Sequence, residues 1–352
     1  MQLFRRTAMV AILALGVTAT AARAQDKDTL RIYFADVEGG QSTLFVTPLG
    51  ESLLVDTGWS GFNNRDADRI VALCKKAGIS KIDTVLITHF HVDHAGGIPQ
   101  LAAKIPIGRF IDHGDNTETA EGGTLSAWKA YQKTLADQHI PRVTAKPGDV
   151  LPIKGMKVEI VSGNGDVIDK PLSGGGAGRP NPACEHSAMR DVENTENDRS
   201  LGMMITFGNL RIADLGDLTW AKERPLMCPV DKLGRVDILV VSHHGMDRSS
   251  SPALVDALAP RVAIMDNGGH KGASMPAWSV VEASPRIAGG KGDLWQLHTA
   301  EDSDAAHNAP VARIANLPGP DAGHSLELTA RKDGSFAVTN ERTGQTVQYP
   351  PK

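Results

Sequence analysis

The stretch Thr88-His89-Phe90-His91-Val92-Asp93-His94-Ala95-Gly96-Gly97 decides how this chain is read. It leaves a largely apolar run, Ile82 to Thr88, that reads as a strand buried on both faces, and it leads into a helical pattern at Ile98 to Lys104. Four side chains of metal-ligating type fall within six residues. His89 and His91 are two apart, so in extended backbone they share one face; Asp93 and His94 come as the chain turns and point to a neighbouring position. Imidazole and carboxylate suit zinc and similar borderline ions. The spacing therefore makes two adjacent metal positions possible. Gly96-Gly97 lets the backbone pack closely where the helix begins.

On either side, strands and helices interleave. Leu30 to Phe34, Ser42 to Thr47 and Ser52 to Val55 read as strands, the last two joined by a turn at Pro48-Leu49-Gly50. Arg65 to Ala77 has helical spacing and Gly78 ends it. Ile107 to Ile111 reads as strand, Leu125 to Gln138 as helix, and Val143 to Ile160 as short strands. The pattern disappears between Gly163 and Arg199, a glycine-rich loop long enough to suggest function. It returns with a hairpin, Leu201 to Phe207 and Leu210 to Ala213, then strand Val236 to Val241, helix Ala253 to Leu258 and strand Val262 to Met265. Ser325 to Tyr349 alternates around Asp333-Gly334 and Thr343-Gly344 and reads as a β-meander. This interleaving argues one α/β domain with a β extension.

Composition narrows the function classes. A chain of 352 residues with 41% hydrophobic and 22% charged residues is globular. A net charge of -4 offers no broad polycation for sequence-blind duplex binding. Cys74, Cys184 and Cys228 show no CxxC spacing and cannot all pair with one another; Cys74 reads as a buried hydrophobe, while Cys184 and Cys228 could pair in an oxidising compartment. Residues 1–24 read as a secretory signal: Arg5 and Arg6, an apolar run from Ala8 to Val17, and Ala22-Arg23-Ala24 before Gln25. Cleavage removes three arginines and no acid, which takes the net charge from -4 to -7. The expected location is periplasmic or secreted, with no membrane contact after cleavage and the oligomeric state open.

The motif HxHxDH after an apolar strand resembles the metallo-β-lactamase fold superfamily. Leu53-Leu54-Val55-Asp56-Thr57-Gly58 is similar to the strand-Asp-x-Gly segment of that fold, Ala213-Asp214-Leu215-Gly216-Asp217 to its Gly-Asp, and Val241-Ser242-His243-His244-Gly245 to its late histidine motif. The SHHG form, with Asn197 to Ser200 as Asn-x-x-Ser, resembles the branch related to the extracellular domain of the DNA-uptake protein ComEC. The resemblance implies a four-layer αββα metallo-β-lactamase sandwich over 25–317, with a C-terminal β-meander over 318–352. It implies His89 and His91 on metal 1, Asp93, His94 and His243 on metal 2, and Asp217 bridging. Strand alternation favours His243 as the ligand and turns His244 toward substrate, where Asp93 and His244 are the expected catalytic groups. The third histidine that the superfamily usually gives metal 1 is missing before Asp217; Asn197, Asp198, His186 or His113 could stand in.

The expected protein is thus a secreted hydrolase that uses hydroxide on one or two zinc ions, with other divalent metals as alternatives. The ComEC-like resemblance implies phosphate esters or phosphodiesters as substrates. Another ester or amide, such as a lactone or β-lactam, or a non-catalytic metal-binding role, are the alternatives. No P-loop, GxGxxG unit or serine elbow competes. Gln41, Lys271, His298 and the glycine-rich loop are candidates for the wall of the site, with His298 read as a satisfied buried histidine and Gln41 equally as a turn residue.

Overall fold

The computed structural model describes residues 28–290 and 292–352; the signal reading for 1–24 lies outside the described residues. Two large sheets face each other. In the first, Thr29–Phe34, Thr43–Val46 and Ser52–Val55 form an antiparallel meander. Ser52–Val55 then starts a parallel run through Thr84–Leu86, Phe110–Asp112 and Arg142–Thr144. On the other flank Leu326–Arg331 pairs antiparallel with Thr29–Phe34 and carries Phe336–Asn340 and Thr346–Tyr349. The β-meander anticipated after residue 317 therefore widens the first sheet rather than standing apart from it.

The second sheet centres on five parallel strands, Leu210–Asp214, Ile238–Val240, Val262–Met265, Asp293–His298 and Ile314–Asn316. Antiparallel Gly202–Phe207 and Lys157–Gly163 extend it.

Side-chain alternation explains the four layers. Leu30, Ile32, Leu53, Val55, Ile238 and Val240 enter a core between the sheets. Their neighbours Tyr33, Leu54 and Val85 face outward onto helices Arg65–Ala77 and Gly123–Gln138. Leu239 and Val241 face outward onto Trp220–Met227, Pro252–Leu258 and Met275–Glu282. Strands covered on both faces need apolar residues at successive positions, which is why they read as runs rather than alternations. Arg65–Ala77 ends where Gly78 adopts φ 74, a left-handed conformation that glycine takes without a Cβ clash. Among the described residues no helix is long and apolar enough to cross a membrane.

Trp220–Met227 is helical despite Pro225. The glycine-rich stretch without periodic pattern holds a covalent link: Cys184 pairs with Cys228, the pairing the sequence left open, and this ties the stretch to the end of that helix. Buried Cys74 is free, as read.

Trp295 shows what joins the layers. It is fully buried between the sheets, and its indole N–H donates to the Tyr349 hydroxyl at 3.1 Å. Trp295→Ala should therefore cost ~3–5 kcal/mol, read as a lower denaturant midpoint at unchanged slope.

Candidate metal centre

Parallel strands of both sheets end at one rim of the sandwich, and the polar residues cluster there. Ser52–Val55 delivers Asp56, Thr84–Leu86 leads to His89, Leu210–Asp214 to Asp217, Ile238–Val240 to His243 and His244, and Val262–Met265 to Asp266. Crevices beyond strand carboxyl ends are where α/β sheets commonly bind ligands. After His89 the chain turns into the short helix Val92–Ala95, which presents Asp93 and His94. The paired glycines are needed for this turn. A Cβ on Gly97 would lie 2.1 Å from the Thr57 carbonyl oxygen, and one on Gly96 2.6 Å from the Ser60 amide.

Asp217 occupies the middle. Its Oδ2 lies 3.8 Å from His89 Nε2, 3.3 Å from His94 Nε2 and 3.4 Å from His243 Nε2, and its Oδ1 lies 3.6 Å from His244 Nε2. Two overlapping donor sets result. Asp93, His94, Asp217 and His244 form one, and His89, His91 and Asp217 the other, with ligand atoms within 4.8 Å of one another in each. Asp217 belongs to both.

The rings are oriented by what lies behind them. Asp56 accepts hydrogen bonds from His94 Nδ1 at 2.7 Å, from the Thr88 amide at 2.8 Å and from the Thr88 hydroxyl at 2.7 Å. Because the Thr88 proton goes to Asp56, the same hydroxyl can only accept from His89 Nδ1, at 3.1 Å. That tautomer leaves the lone pair of His89 Nε2 facing Asp217, and this buried nitrogen has no hydrogen-bond partner. His91 Nε2 donates to Glu118 at 3.1 Å, which leaves Nδ1 for the cluster. His244 Nδ1 faces Asp266 Oδ1 across 3.4 Å, and neither atom is otherwise satisfied. Carboxylates behind ligating imidazoles fix ring orientation and raise ligand basicity.

The electrostatics match a cation site. Burial would raise the Asp217 carboxyl, but His243, His94 and His244 outweigh it and hold it well below the usual range. Asp93 is likewise held down against burial by His94, His244 and Lys271. Burial opposes a charge on His94, yet Asp217, Asp93 and Asp56 push it well above its ordinary value. Burial and the neighbouring His94 and His91 keep His89 neutral. Burial also lowers His243, to about 4, while Asp217 and Asp266 overcome burial to raise His244 to about 10. Ionised buried carboxylates facing convergent imidazole nitrogens, several of them unsatisfied, fit a divalent cation.

Several expectations change. Alternation favoured His243 over His244, but His244 is the one that joins Asp93 and His94. The reason is local: His243 and His244 have φ of 56 and 55, so they sit in a left-handed turn where strand alternation does not apply. His243 instead faces Asp217 alone, with Ser249 Oγ 3.3 Å behind its Nδ1. Of the stand-ins for the missing histidine, Asp198 spends both oxygens, on the Asn194 amide and the Thr219 hydroxyl. His113 is bound to Glu196 at 2.9 Å. His186 is exposed and lines a separate groove with Arg179 and Arg235, where the glycine-rich loop also lies. Asn197 keeps a buried Oδ1 without a hydrogen-bond partner. Gln41 is buried and donates to both oxygens of Asp214 rather than lining the centre. His298 is satisfied by Asp36 at 2.7 Å.

Sequence reasoning missed the supporting acids. Glu118 and Asp266 lie in no recognisable motif, although Asp266 directly follows an apolar strand. Glu196 was read only as a place in the chain; its carboxylate binds the Phe90 amide at 3.1 Å and so braces the strip between His89 and His91. Glu223 is fully buried and accepts from the Ser250 and Ser251 amides at 2.6 and 2.7 Å, which fixes the turn carrying Ser249.

Residues 35–181 match the family profile described as the metallo-beta-lactamase superfamily. ComE operon protein 3 of Bacillus subtilis is 25% identical over 210 residues, 59% of this chain and 23% of its own length. Recombination protein 2 of Haemophilus influenzae is 24% identical over 278 residues, 77% of this chain and 28% of its own. The chain thus spans about a quarter of each of these curated relatives. Among solved structures, the metallo-beta-lactamase fold protein YhfI of Bacillus subtilis aligns with a TM-score of 0.47 at 12% identity, over 85% of this chain and all of that one. CmlA, a diiron beta-hydroxylase of Streptomyces venezuelae, aligns with a TM-score of 0.43 at 17% identity, over 77% of this chain and 53% of that one.

Two outcomes test this geometry. Asp56→Asn should weaken divalent-metal affinity by ~10–100-fold in calorimetric titration, with the fold retained by circular dichroism. The second concerns Glu223, which burial raises from 4.5 to about 7 against the amides that lower it. A raised acid stabilises the fold fully below about 4.5 and loses that contribution as pH climbs toward about 7. The stability difference between wild type and Glu223→Gln should therefore shift against wild type across this window; a pH-independent difference would contradict the assignment.

Proposed function

Starting from a chain with the metallo-β-lactamase fold and a sequence resembling the ComEC-related branch, we propose a metal-dependent hydrolase of phosphate esters or phosphodiesters. The observation that carries this reading is the Asp217 carboxylate, buried and shared by two donor sets. His89, His91 and Asp217 would hold one ion; Asp93, His94, His244 and Asp217 would hold the second. Zinc fits the imidazole-rich donors, and other divalent metals fit the carboxylates. Bound there, a divalent ion acidifies water and polarises a phosphoryl or carbonyl oxygen.

The chain's own groups do the rest. Asp56, Glu118 and Asp266 fix the three rings in front of them. Asp93 stays ionised and ready to orient an attacking water by accepting its proton in a hydrogen bond. His243, kept neutral by burial, presents Nε2 beside Asp217, where it can accept a hydrogen bond. Lys271 touches Asp93 and supplies positive charge next to the centre, which supports an anionic substrate. Export to an oxidising compartment is part of the proposal: the reading of residues 1–24 and the Cys184–Cys228 pair support it.

The test is hydrolysis of bis(4-nitrophenyl) phosphate and of a chromogenic β-lactam by zinc- and manganese-loaded protein, beside Asp217→Asn. The diester should be cleaved, with activity falling more than about 100-fold in the variant. Cleavage of the β-lactam alone would replace the substrate class. Less than one bound metal with no hydrolysis would remove the enzymatic reading.

A further inference from the structure

Next to the centre lies a cleft of about 360 Å³, walled by Trp59, Lys271, His298, Glu38, Glu301 and Asp321 among others. Lys271 joins cleft to centre. Its Nζ contacts Asp93 Oδ2 and sits 4.7 Å from the centroid of the Trp59 ring. Its carbonyl accepts from the Gly268 amide at 2.8 Å, and the segment just after it is anchored to the donor His244: the Ala273 amide binds the His244 carbonyl at 2.8 Å, and the Ser274 amide binds the Gly245 carbonyl at 2.9 Å. On its other side, a Cβ on Gly39 would come within 2.9 Å of Lys271 Cβ, so that position accommodates the turn only as glycine. The lysine thus has a fixed root and a long side chain that can turn from Asp93 toward the cleft.

The other cations around the cleft have partners. His298 is bound to Asp36, and His270 lies 3.1 Å from Asp302. Arg69 spans Asp36 and Asp321. The remaining charged groups of the wall, Glu38, Glu301 and Asp321, face His298, His270 and Arg69, so Lys271 is the one cation there that borders the centre. Such a lining favours one anionic group, at the Lys271 end, and offers a second no uncommitted cation farther out. The half-buried indole of Trp59 lines the cleft and offers a flat apolar surface beside that anion position.

Resting on the hydrolase reading above, we infer that this cleft binds the non-reacting part of the substrate and selects a small ester with a single phosphate. Lys271 turns from Asp93 to a phosphate oxygen, Trp59 packs against a flat or apolar substituent, and the rest of the molecule is uncharged or cationic. A polynucleotide, which carries a charge at every repeat, finds a cation for one phosphate only.

The experiment uses metal-loaded wild type, Lys271→Met and Trp59→Ala, each with its metal content measured. Lys271→Met should keep its metal yet weaken inorganic phosphate in calorimetry, and raise KM for bis(4-nitrophenyl) phosphate, by about tenfold each. Trp59→Ala should raise that KM and leave phosphate affinity unchanged. A 20-nucleotide single strand should inhibit no better than a dinucleoside monophosphate. Unchanged phosphate affinity and KM in fully loaded Lys271→Met would overturn the inference, as would tight inhibition by the oligonucleotide. If wild type cleaves no phosphodiester but binds phosphate through Lys271, the cleft assignment stands and the hydrolase reading falls.

Discussion

One buried negative charge organises this molecule. The Asp217 carboxylate is buried at the rim between two sheets, faced by four imidazoles. A carboxylate withdrawn from water is costly unless positive charge and hydrogen-bond donors surround it. The surroundings follow from that requirement. His94 can serve because Asp56 stands behind it, and Asp56 tolerates full burial because His94 and Thr88 donate to it. Each group is acceptable only in the presence of the next, so the centre is one coupled unit rather than a set of separable contacts.

The fold is what brings these groups together from distant parts of the sequence. Ser52–Val55 and Thr84–Leu86 belong to one sheet, Leu210–Asp214, Ile238–Val240 and Val262–Met265 to the other. The apolar core between the sheets sets their separation, and the parallel runs point the same way at the rim. The Cys184–Cys228 link adds a constraint from outside the core, since it ties the long loop to the helix whose Glu223 braces the turn after His244.

What could be read from the sequence was whatever is local. HxHxDH is a single segment whose ligand types and spacing are visible without tertiary contacts, and strands covered on both faces announce themselves as apolar runs. Asp56 and Asp217 were visible as members of short motifs at strand ends. Alternation favoured His243 where the structure groups His244 with Asp93 and His94, because alternation assumes extended backbone and a Ser-His-His-Gly turn with positive φ does not display its hand in composition. Glu118 and Asp266 were illegible for another reason: an acid that stands behind a histidine 27 residues away looks like any surface acid until the chain is folded. The disulfide was visible as a possibility only, because two distant cysteines carry no geometry.

The pairing of Leu326–Arg331 with Thr29–Phe34 has a kinetic side. Arg31 and Thr329 are opposite one another, so this flank of the first sheet closes only when segments from far apart in the chain meet. Before then the Thr29–Phe34 strand is an open edge, with its backbone donors and acceptors exposed along an apolar ribbon. Long-range pairings of this kind form slowly and late. Until that pairing forms, this flank of the first sheet is open to edge-to-edge association, and the C-terminal strands close it.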